Sequence, residues 1–229
     1  MSIPIKIISS MATRQLLADL IAQFQLTSPQ RVTAESVGGV DAARRVRSGE
    51  AFDVVVLAAN AIDDLIEARR IVAASRVDLV KSGVAVAVRS GSPRPDIGSE
   101  EAVRRAVLAA RSLSYSTGPS GVHLTKLFER WGIADAIKDR IVQAPPGVPV
   151  GTLVAEGKAE LGFQQLSELM SLPGISVLGP LPDAIQITTT FSAGLSATCT
   201  QPEAARALLA FLASPEAAPT KRRNGMDPA

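Results

Sequence analysis

Short apolar runs alternate along the chain with stretches in which apolar residues recur every three or four positions. The runs are typical of strands covered on both faces, and the recurring pattern is typical of amphipathic helices. Residues 53–57 give the clearest strand, because four aliphatic residues follow the aspartate. Pro202–Ala213 gives the clearest helix, with an alanine and three leucines on one face. This alternation predicts an α/β protein with a largely parallel sheet.

The same patterns predict further elements in order along the chain. The other predicted strands are residues 5–8, 31–35, 84–89, 113–115, 141–142, 159–163, 175–178 and 185–197. The other predicted helices are residues 12–25, 40–47, 62–70, 99–111, 122–131, 152–156 and 164–170. Ser99 is predicted to cap its helix, since a serine before two glutamates is typical of a helix start.

The chain length and one connector indicate two lobes. A chain of 229 residues suits two lobes of about 100 residues each. Residues 90–98, rich in serine, glycine and proline, form the predicted connector between them. The β-branched stretch 185–197 is long enough to return the chain from the second lobe to the first. We therefore predict lobe 1 from residues 1–89 and 186–229, lobe 2 from residues 90–185, mixed sheets flanked by helices, and two crossing strands between the lobes.

Composition excludes several classes of protein. Hydrophobic residues make up 46% of the chain, which argues against disorder. The net charge of +2 and the 3% aromatic content argue against a nucleic-acid partner, so the arginine pairs and the run Lys221-Arg222-Arg223 are interpreted as solvated faces. One cysteine cannot form an internal disulfide. No metal-ligand spacing occurs, so we predict neither a metal nor a cofactor.

Location follows from two further observations. The longest apolar run, residues 83–88, is far shorter than the roughly 20 residues that a membrane span needs, so no span is predicted. The first residues lead directly into a strand and show no signal-peptide pattern. We expect a cytoplasmic protein as written, or a periplasmic one if a signal has been removed.

Five predicted strands end in small or polar residues that open a helix at once. Helix starts leave N–H groups without partners and carry partial positive charge, so several such loops at one sheet edge favour an anion. Each loop alone is also accounted for by ordinary capping. Taken together, they predict a small-anion site in a cleft between the lobes. The candidate ligand residues are Ser9, Ser10, Gly38, Gly39, Val40, Ser116, Thr117, Ser120, Gly121, Gly147, Val148, Gln164 and Gln165.

Several stretches carry a resemblance to a known family. They are residues 7–12, 49–56, 154–162, 202–212 and 214–217. With them the chain resembles the type 2 periplasmic-binding-protein superfamily, and within it the molybdate-binding component of ABC transporters. The resemblance implies a venus-flytrap closure of two lobes on a solute and a transporter permease as partner.

The resemblance also assigns ligand positions. It places Ser10 at the family's first oxyanion-binding serine. The family's second ligand serine falls at Gly39 or Val40, and its ligand tyrosine falls near Gln165. Because these hydroxyls are absent, a carboxylate or polycarboxylate is at least as plausible a ligand as a tetrahedral oxyanion.

The loops are similar, too, to those of proteins related to aconitate isomerase. Moving a double bond in an unsaturated polycarboxylate needs a positioned acid and base. His123 and Glu35 are the main candidates, followed by Asp41, Asp53 and Lys126. Asp41 is also interpreted as a helix-start charge, and Asp53 as a structural hydrogen-bonding residue. A third hypothesis, a regulator's sensory domain, lacks the expected helix-turn-helix.

Overall fold

The computed structural model describes residues 3–145 and 147–229. Pro146, which belongs to the predicted loop 146–151, lies outside the described residues, as do Met1 and Ser2. The chain forms two compact units. The first runs up to Lys81 and resumes at Thr190, and the second is Ser82–Thr189.

Nine strands are present among the described residues. They are β1 Ile5–Ser10, β2 Val32–Val37, β3 Val54–Ala58, β4 Val77–Arg89, β5 Leu113–Tyr115, β6 Leu161–Gln165, β7 Ile175–Pro180, β8 Thr188–Leu195 and β9 Asp227–Pro228. Both divisions between the units fall inside strands, β4 and β8, whereas the sequence analysis placed them at 89/90, before the connector, and at 185/186. The difference arises because each strand runs on without a break from one unit into the other.

The α-helices of the described residues are α1 Arg14–Thr27, α2 Gly39–Arg47, α3 Ala59–Glu67, α4 Glu100–Ala109, α5 Pro119–Arg130, α6 Ala134–Ile137, α7 Val150–Ala155, α8 Leu166–Leu169, α9 Pro202–Ala213 and α10 Ala218–Arg223. Short 3-10 helices lie at Met11–Thr13, Ala73–Ser75, Lys138–Arg140, Asp183–Ile185 and Pro215–Ala217. Each of these helices is too short or too polar to cross a bilayer.

The first unit is built on the strand order β2-β1-β3-β8. β1 pairs in parallel with β2 and β3, while β8 is antiparallel to β3. Successive residues of β1 face opposite sides: Ile7 packs in the core with α1 and α9, and Ile8 packs in the core with α2 and α3. Because the three parallel strands share one direction, their carboxyl ends meet at one edge of the sheet.

The second unit has its own sheet and cores. β6 pairs in parallel with β5 and antiparallel with β4, whose other edge pairs with β7. Phe163 of β6 packs with Phe128 of α5 on one face. On the other face α7 lies close to Gly162, where an added Cβ would stand 2.5 Å from the Val154 side chain. A glycine in β6 therefore allows α7 to approach the sheet.

The structure confirms much of the predicted element order and corrects its boundaries. α9 and β5 have the predicted bounds, and the Ser99 hydroxyl accepts from the Ala102 N–H at the start of α4. The predicted end of the strand 31–35 and the predicted helix 164–170 were wrong in part. Ser36 continues β2, and Gln164 and Gln165 complete β6, because their ladders with the neighbouring strands continue.

One charged run was also misjudged. Lys221 is only 2% exposed, so the prediction of a solvated basic face was wrong for this residue. The cause is α10, which the sequence analysis did not predict and which packs against α1 and β9. Desolvation by these neighbours lowers the pKa of Lys221.

Candidate functional site

Three helix starts gather at the carboxyl ends of the parallel strands in the first unit. β1 leads into Met11–Thr13, β2 leads through Gly38 into α2, and β3 leads directly into α3. None of these three starts has a side-chain cap within the described residues. The first N–H groups of α2 and α3 therefore point past the sheet edge without intrahelical acceptors and carry partial positive charge.

Ser10 supplies an unpaired hydroxyl at this edge. The residue is 7% exposed, and its Oγ has no hydrogen-bond partner among the described residues. A Cβ added at Gly39 would lie 3.6 Å from the Ser10 Cβ, so the hydroxyl stands beside the start of α2. A buried hydroxyl without a partner costs free energy, which a bound acceptor would offset.

Two other buried hydroxyls among the described residues share the lack of a partner. Ser114 lies inside β5, and Ser214 precedes a 3-10 helix of three residues. Ser10 is the one of the three that ends a strand and stands directly before a helix start. This position at the sheet edge distinguishes it from Ser114 and Ser214.

Ser9 has a different role from Ser10. Its Oγ lies 2.7 Å from the Oγ of Ser36, a contact that joins the ends of β1 and β2. Because neighbouring strand residues face opposite sides, Ser9 points away from Ser10. A surface depression of about 400 Å³ on the Ser36 side is lined by residues of α1 and β2, including Arg14, and does not include Ser10.

In the second unit, the loop from Ser116 to Gly121 brings hydroxyl groups together. The Oγ atoms of Ser116 and Ser120 lie 3.0 Å apart, and Thr117 is exposed. A Cβ added at Gly121 would stand 1.6 Å from the Ser116 carbonyl oxygen, so only glycine fits there. This close approach fixes the loop against the first turn of α5.

The start of α5 offers few free N–H groups. Pro119 has none, and the N–H of Gly121 donates to the Gly118 carbonyl at 3.0 Å. The Ser120 N–H is the remaining donor among the first three positions. Hydroxyl groups, rather than backbone amides, therefore dominate this part of the second unit.

The remaining candidate loop precedes α7. Gly147 has a φ of +79°, a value that favours glycine, and the Val148 N–H donates to the Pro145 carbonyl at 3.0 Å. Gly147 and Val148 are exposed. The N–H of Gly151, in the first turn of α7, donates to Gln164 Oε1 at 3.3 Å.

Both candidate glutamines are occupied by contacts within the second unit. Gln164 donates through Nε2 to Glu168 Oε1 at 2.9 Å. The Gln165 amide lies 3.0 Å from the Thr189 hydroxyl, and in its better-satisfied orientation its nitrogen donates to Ser82 Oγ at 2.9 Å. The Gln164 side chain therefore connects α7 with α8, and the Gln165 side chain connects β6 with the middle of β4 and the start of β8.

Glu35 is held by an ion-pair network on the surface of the first unit. Arg45 bonds both oxygens of Glu35, at 2.6 and 3.0 Å, and also bonds Glu50. These hydrogen bonds from Arg45 lower the pKa of Glu35. Because Glu35 is both charged and engaged, it is a poor proton acceptor at neutral pH.

The other acid–base candidates are dispersed. Asp53 accepts from the backbone N–H groups of Lys6 and Thr200, and Asp41 pairs with Arg44 in the first turn of α2. Both structural interpretations are thus confirmed. His123 is exposed at the fifth position of α5 rather than at its start, and Lys126 is exposed one turn further on. No hydrogen bond joins any two of these candidates among the described residues.

Sequence reasoning missed Glu168. This half-buried residue lies in the first turn of α8, and burial raises its pKa to about 7 although Gln164 donates to it. The signal in the sequence is its isolation, because it is the one titratable residue between positions 161 and 182. Within residues 3–145 and 147–229, no group of three His, Cys, Asp or Glu side chains is arranged to hold a metal ion.

Comparison with known proteins identifies the family to which the chain belongs. The family of bacterial extracellular solute-binding proteins matches residues 5–227. The chain belongs to this family. The solute-binding protein is 42% identical to aconitate isomerase of Pseudomonas sp. over 187 residues, which cover 80% of this chain and 70% of that protein.

Solved structures agree on the fold. The periplasmic molybdate-binding protein of Azotobacter vinelandii superimposes with a TM-score of 0.81 at 18% identity, covering 97% of this chain and 98% of that one. The sulfate-binding protein SubI of Mycobacterium tuberculosis gives 0.81 at 15% identity, covering 100% and 88%. The solute-binding protein therefore has the type 2 periplasmic-binding-protein fold that the sequence predicted.

Proposed function

We propose that this solute-binding protein binds a small anion. Ser10 and the N–H groups of Gly39 and Val40 would hold it in the first unit, and Ser116, Thr117 and Ser120 are further proposed contacts in the second. The observation that carries the proposal is the buried, unpaired Oγ of Ser10 beside the uncapped start of α2. An anion there would accept from the hydroxyl and from the helix start together.

The donor set favours a carboxylate over a tetrahedral oxyanion. A carboxylate presents two oxygens in one plane, which one hydroxyl and two N–H groups suit. A tetrahedral oxyanion presents four oxygens, yet Gly39 provides no hydroxyl and Gln165 is engaged with Ser82 and Thr189. The relative at 42% identity is named for its action on aconitate, a polycarboxylate, which supports the same choice.

Ligand screening tests the proposal. A ligand that binds only the folded state raises the melting temperature, so the protein is heated with citrate, aconitate, molybdate, tungstate and sulfate in turn. We expect the carboxylates to stabilise it most. Replacing Ser10 by alanine should weaken binding by at least about tenfold, since a hydrogen bond to a charged group contributes about 1.5–3 kcal/mol.

The matched control is Ser114→Ala, which removes another buried hydroxyl without a partner, inside β5. Its affinity should equal that of the wild type. Equal affinities for Ser10→Ala and the wild type, or stabilisation by none of the five anions, would overturn the proposal.

Gly39→Ser tests the preference for carboxylates. The backbone of Gly39 is not left-handed and its Cβ would make ordinary contact with Ser10, so serine fits. The new hydroxyl should raise the affinity for molybdate relative to citrate by at least about fivefold, since one hydrogen bond contributes about 1 kcal/mol. An unchanged ratio, measured by titration calorimetry, would show that the missing hydroxyl does not set the preference.

A partner follows from the same proposal. Binding components of ABC transporters deliver their solute to a permease, and we propose such a permease as partner, which places the working protein outside the cytoplasm. Addition of the anion-loaded protein should stimulate ATP hydrolysis by a reconstituted ABC transporter of the same organism. Equal stimulation by the anion-free protein would contradict this assignment.

A second candidate function is isomerisation of an unsaturated polycarboxylate, which the 42% identity to aconitate isomerase favours. A base takes a proton from the CH₂ carbon next to the double bond, the C–H electron pair forms the new double bond, and the old π pair takes a proton at its far carbon. The reaction is redox-neutral and needs no co-reactant. His123 is the proposed base, since Arg45 holds Glu35.

An absorbance assay with cis- and trans-aconitate decides between the two functions. Turnover that is lost in His123→Ala and retained in Glu35→Gln would establish the enzyme. Binding of aconitate without interconversion would leave the protein as a receptor.

A further inference from the structure

A chain of hydrogen bonds links α7 to a carboxyl group in the second unit. The Gly151 N–H donates to Gln164 Oε1 at 3.3 Å, and Gln164 Nε2 donates to Glu168 Oε1 at 2.9 Å. Gln164 is buried and Glu168 is half-buried. The amide of Gln164 therefore fixes the carboxyl group relative to the loop that precedes α7.

Three of the elements around this carboxyl group carry no charged side chain. β6, β7 and α7 carry no titratable residue, and Glu168 is the only one on α8. The side chain of Leu169, the next residue, packs with Ala85 and Ala87 of β4. Arg89, at the far end of β4, lies near Gly157 instead.

Other titratable groups are kept away by the sheet. α5, with His123 and Lys126, packs through Phe128 against Phe163 and thus covers the opposite face of β6 from Gln164. The other carboxylates whose pKa is displaced are paired with arginines, as Glu160 is with Arg111. Glu168 differs from those carboxylates because its partner is the neutral amide of Gln164 and not an arginine.

Burial without a cation explains why the pKa of Glu168 rises to about 7. Near neutral pH this group exchanges its proton over a small pH range. Loss of the proton places a negative charge at the end of β6. Because β5 and β6 are parallel, with Tyr115 opposite Phe163, the Ser116 loop follows at the same edge of the sheet.

We propose that anion binding by this protein is linked to protonation of Glu168, so that the protein takes up a proton as it binds. The inference rests on the proposed anion-binding function, with its contacts at the Ser116 loop. An anion bound at the Ser116 loop and an ionised Glu168 would repel each other at the same sheet edge, and Glu168 has no cation partner among the described residues to screen the repulsion. The neutral carboxyl group removes this cost and keeps the hydrogen bond with Gln164.

The test measures affinity against pH with probes whose own charge is constant above about pH 5.5. Sulfate and fumarate meet this condition, and titration calorimetry gives their dissociation constants. We expect wild-type affinity to fall at least about fivefold between about pH 6 and pH 8, as Glu168 ionises. Glu168→Gln should bind with the affinity of the wild type at low pH, and with no pH dependence over this range.

Glu160→Gln is the matched control, since it removes a carboxylate of the same unit that is paired with Arg111. It should retain the wild-type pH dependence. Linkage is reciprocal, so the anion should also raise the midpoint of the Glu168 carboxyl titration followed by carbon-13 NMR. This second readout uses the wild-type protein and does not depend on any variant folding.

The outcomes separate the two proposals. Binding that keeps the same pH dependence in Glu168→Gln, or a Glu168 midpoint that the anion leaves unchanged, would overturn the linkage while anion binding stands. Absence of binding by both probes at every pH, together with a normal Glu168 titration, would overturn the proposed function and the linkage with it.

Discussion

At some loop positions, one steric contact determines whether any residue other than glycine fits. Gly121 shows this most directly, because an added Cβ would stand 1.6 Å from the Ser116 carbonyl oxygen. At Gly118, three residues earlier, the nearest atom would be Ser116 Oγ at 3.9 Å, an ordinary contact. Two glycines of one loop thus differ sharply in what they tolerate.

Gly121→Ala should therefore destabilise the protein by about 3 kcal/mol, since the backbone of Ser116 or of α5 must move. Gly118→Ala should change the free energy of unfolding by less than about 1 kcal/mol. Urea denaturation followed by circular dichroism measures both. Similar losses in the two variants would show that the close contact does not limit this loop.

The raised pKa of Glu168 predicts that the stability of the protein depends on pH. A carboxyl group whose pKa is raised on folding favours the folded state at low pH, and this advantage disappears as pH rises from about 4.5 to about 7. Glu168→Gln should remove that loss and exceed the wild type by up to about 3 kcal/mol above pH 7. Melting curves at several pH values test this. A stability difference that does not vary with pH would contradict the burial of this charge.

The sequence predicted some residue roles and missed others for a physical reason. Asp53 and Asp41 were assigned correctly because their roles depend on the strand or helix in which they stand. The properties of Glu168 and Lys221 depend on burial by α7, β7 or α10, which the sequence pattern does not display. For Glu168, the sequence shows only one local sign of the raised pKa, which is that the residues around it are uncharged.

The helices of this protein differ in whether a side chain caps their first turn. α4 begins with a capping serine, whereas α2, α3 and α5 begin without a side-chain cap. The capped start is a stabilising feature of the fold. The uncapped starts of α2 and α3 follow strand ends, and their N–H groups remain available to a ligand, whereas Pro119 and the engaged N–H of Gly121 leave few at α5.

Ser99→Ala should destabilise the protein by about 1 kcal/mol, the usual effect of losing an N-cap. The Ser99 hydroxyl accepts from the Ala102 N–H, and alanine offers no acceptor. Ser92→Ala in the preceding connector, whose side chain makes no such bond, is the control and should match the wild type. Thermal unfolding measures both, and equal melting temperatures would show that the cap contributes nothing.

Two strand ends were misplaced because a ladder continues through polar residues. Ser36 and Val37 extend β2 because Ser9 and Ser10 stand opposite them, and Gln165 extends β6 because Val84 stands opposite. A polar residue in sequence is typical of a turn, and the sequence alone does not give its register partner. This is also why the predicted roles of Gln164 and Gln165 as helix-start ligands differ from their observed contacts.

The whole molecule consists of two units with separate cores. Leu208 belongs to the core of the first unit and Leu124 to that of the second, and each is at most 1% exposed. The alternation of strands and helices and the type 2 fold were predictable, because they depend on long apolar patterns. The two-residue strand β9 was not, since its pairing with β4 leaves no pattern in so short a segment.

Leu208→Ala and Leu124→Ala form a matched pair, and each should cost about 3 kcal/mol. Because the cores are separate, Leu208→Ala should accelerate amide exchange at Ile5–Ser10 more than at Leu161–Gln165. Leu124→Ala should show the reverse. Equal acceleration of both strands in both variants, measured by hydrogen exchange, would mean that the protein opens as one cooperative body.

The proline at the start of α5 has a consequence for the chemistry that the second unit can recognise. With Pro119 lacking an N–H and the Gly121 N–H engaged, Ser116 and Ser120 are the main polar groups there. A backbone N–H group can only donate a hydrogen bond, but a hydroxyl group can rotate and can accept one as well. The loop from Ser116 to Ser120 therefore suits groups that donate a hydrogen bond, such as an alcohol or an undissociated acid, as well as groups that accept one.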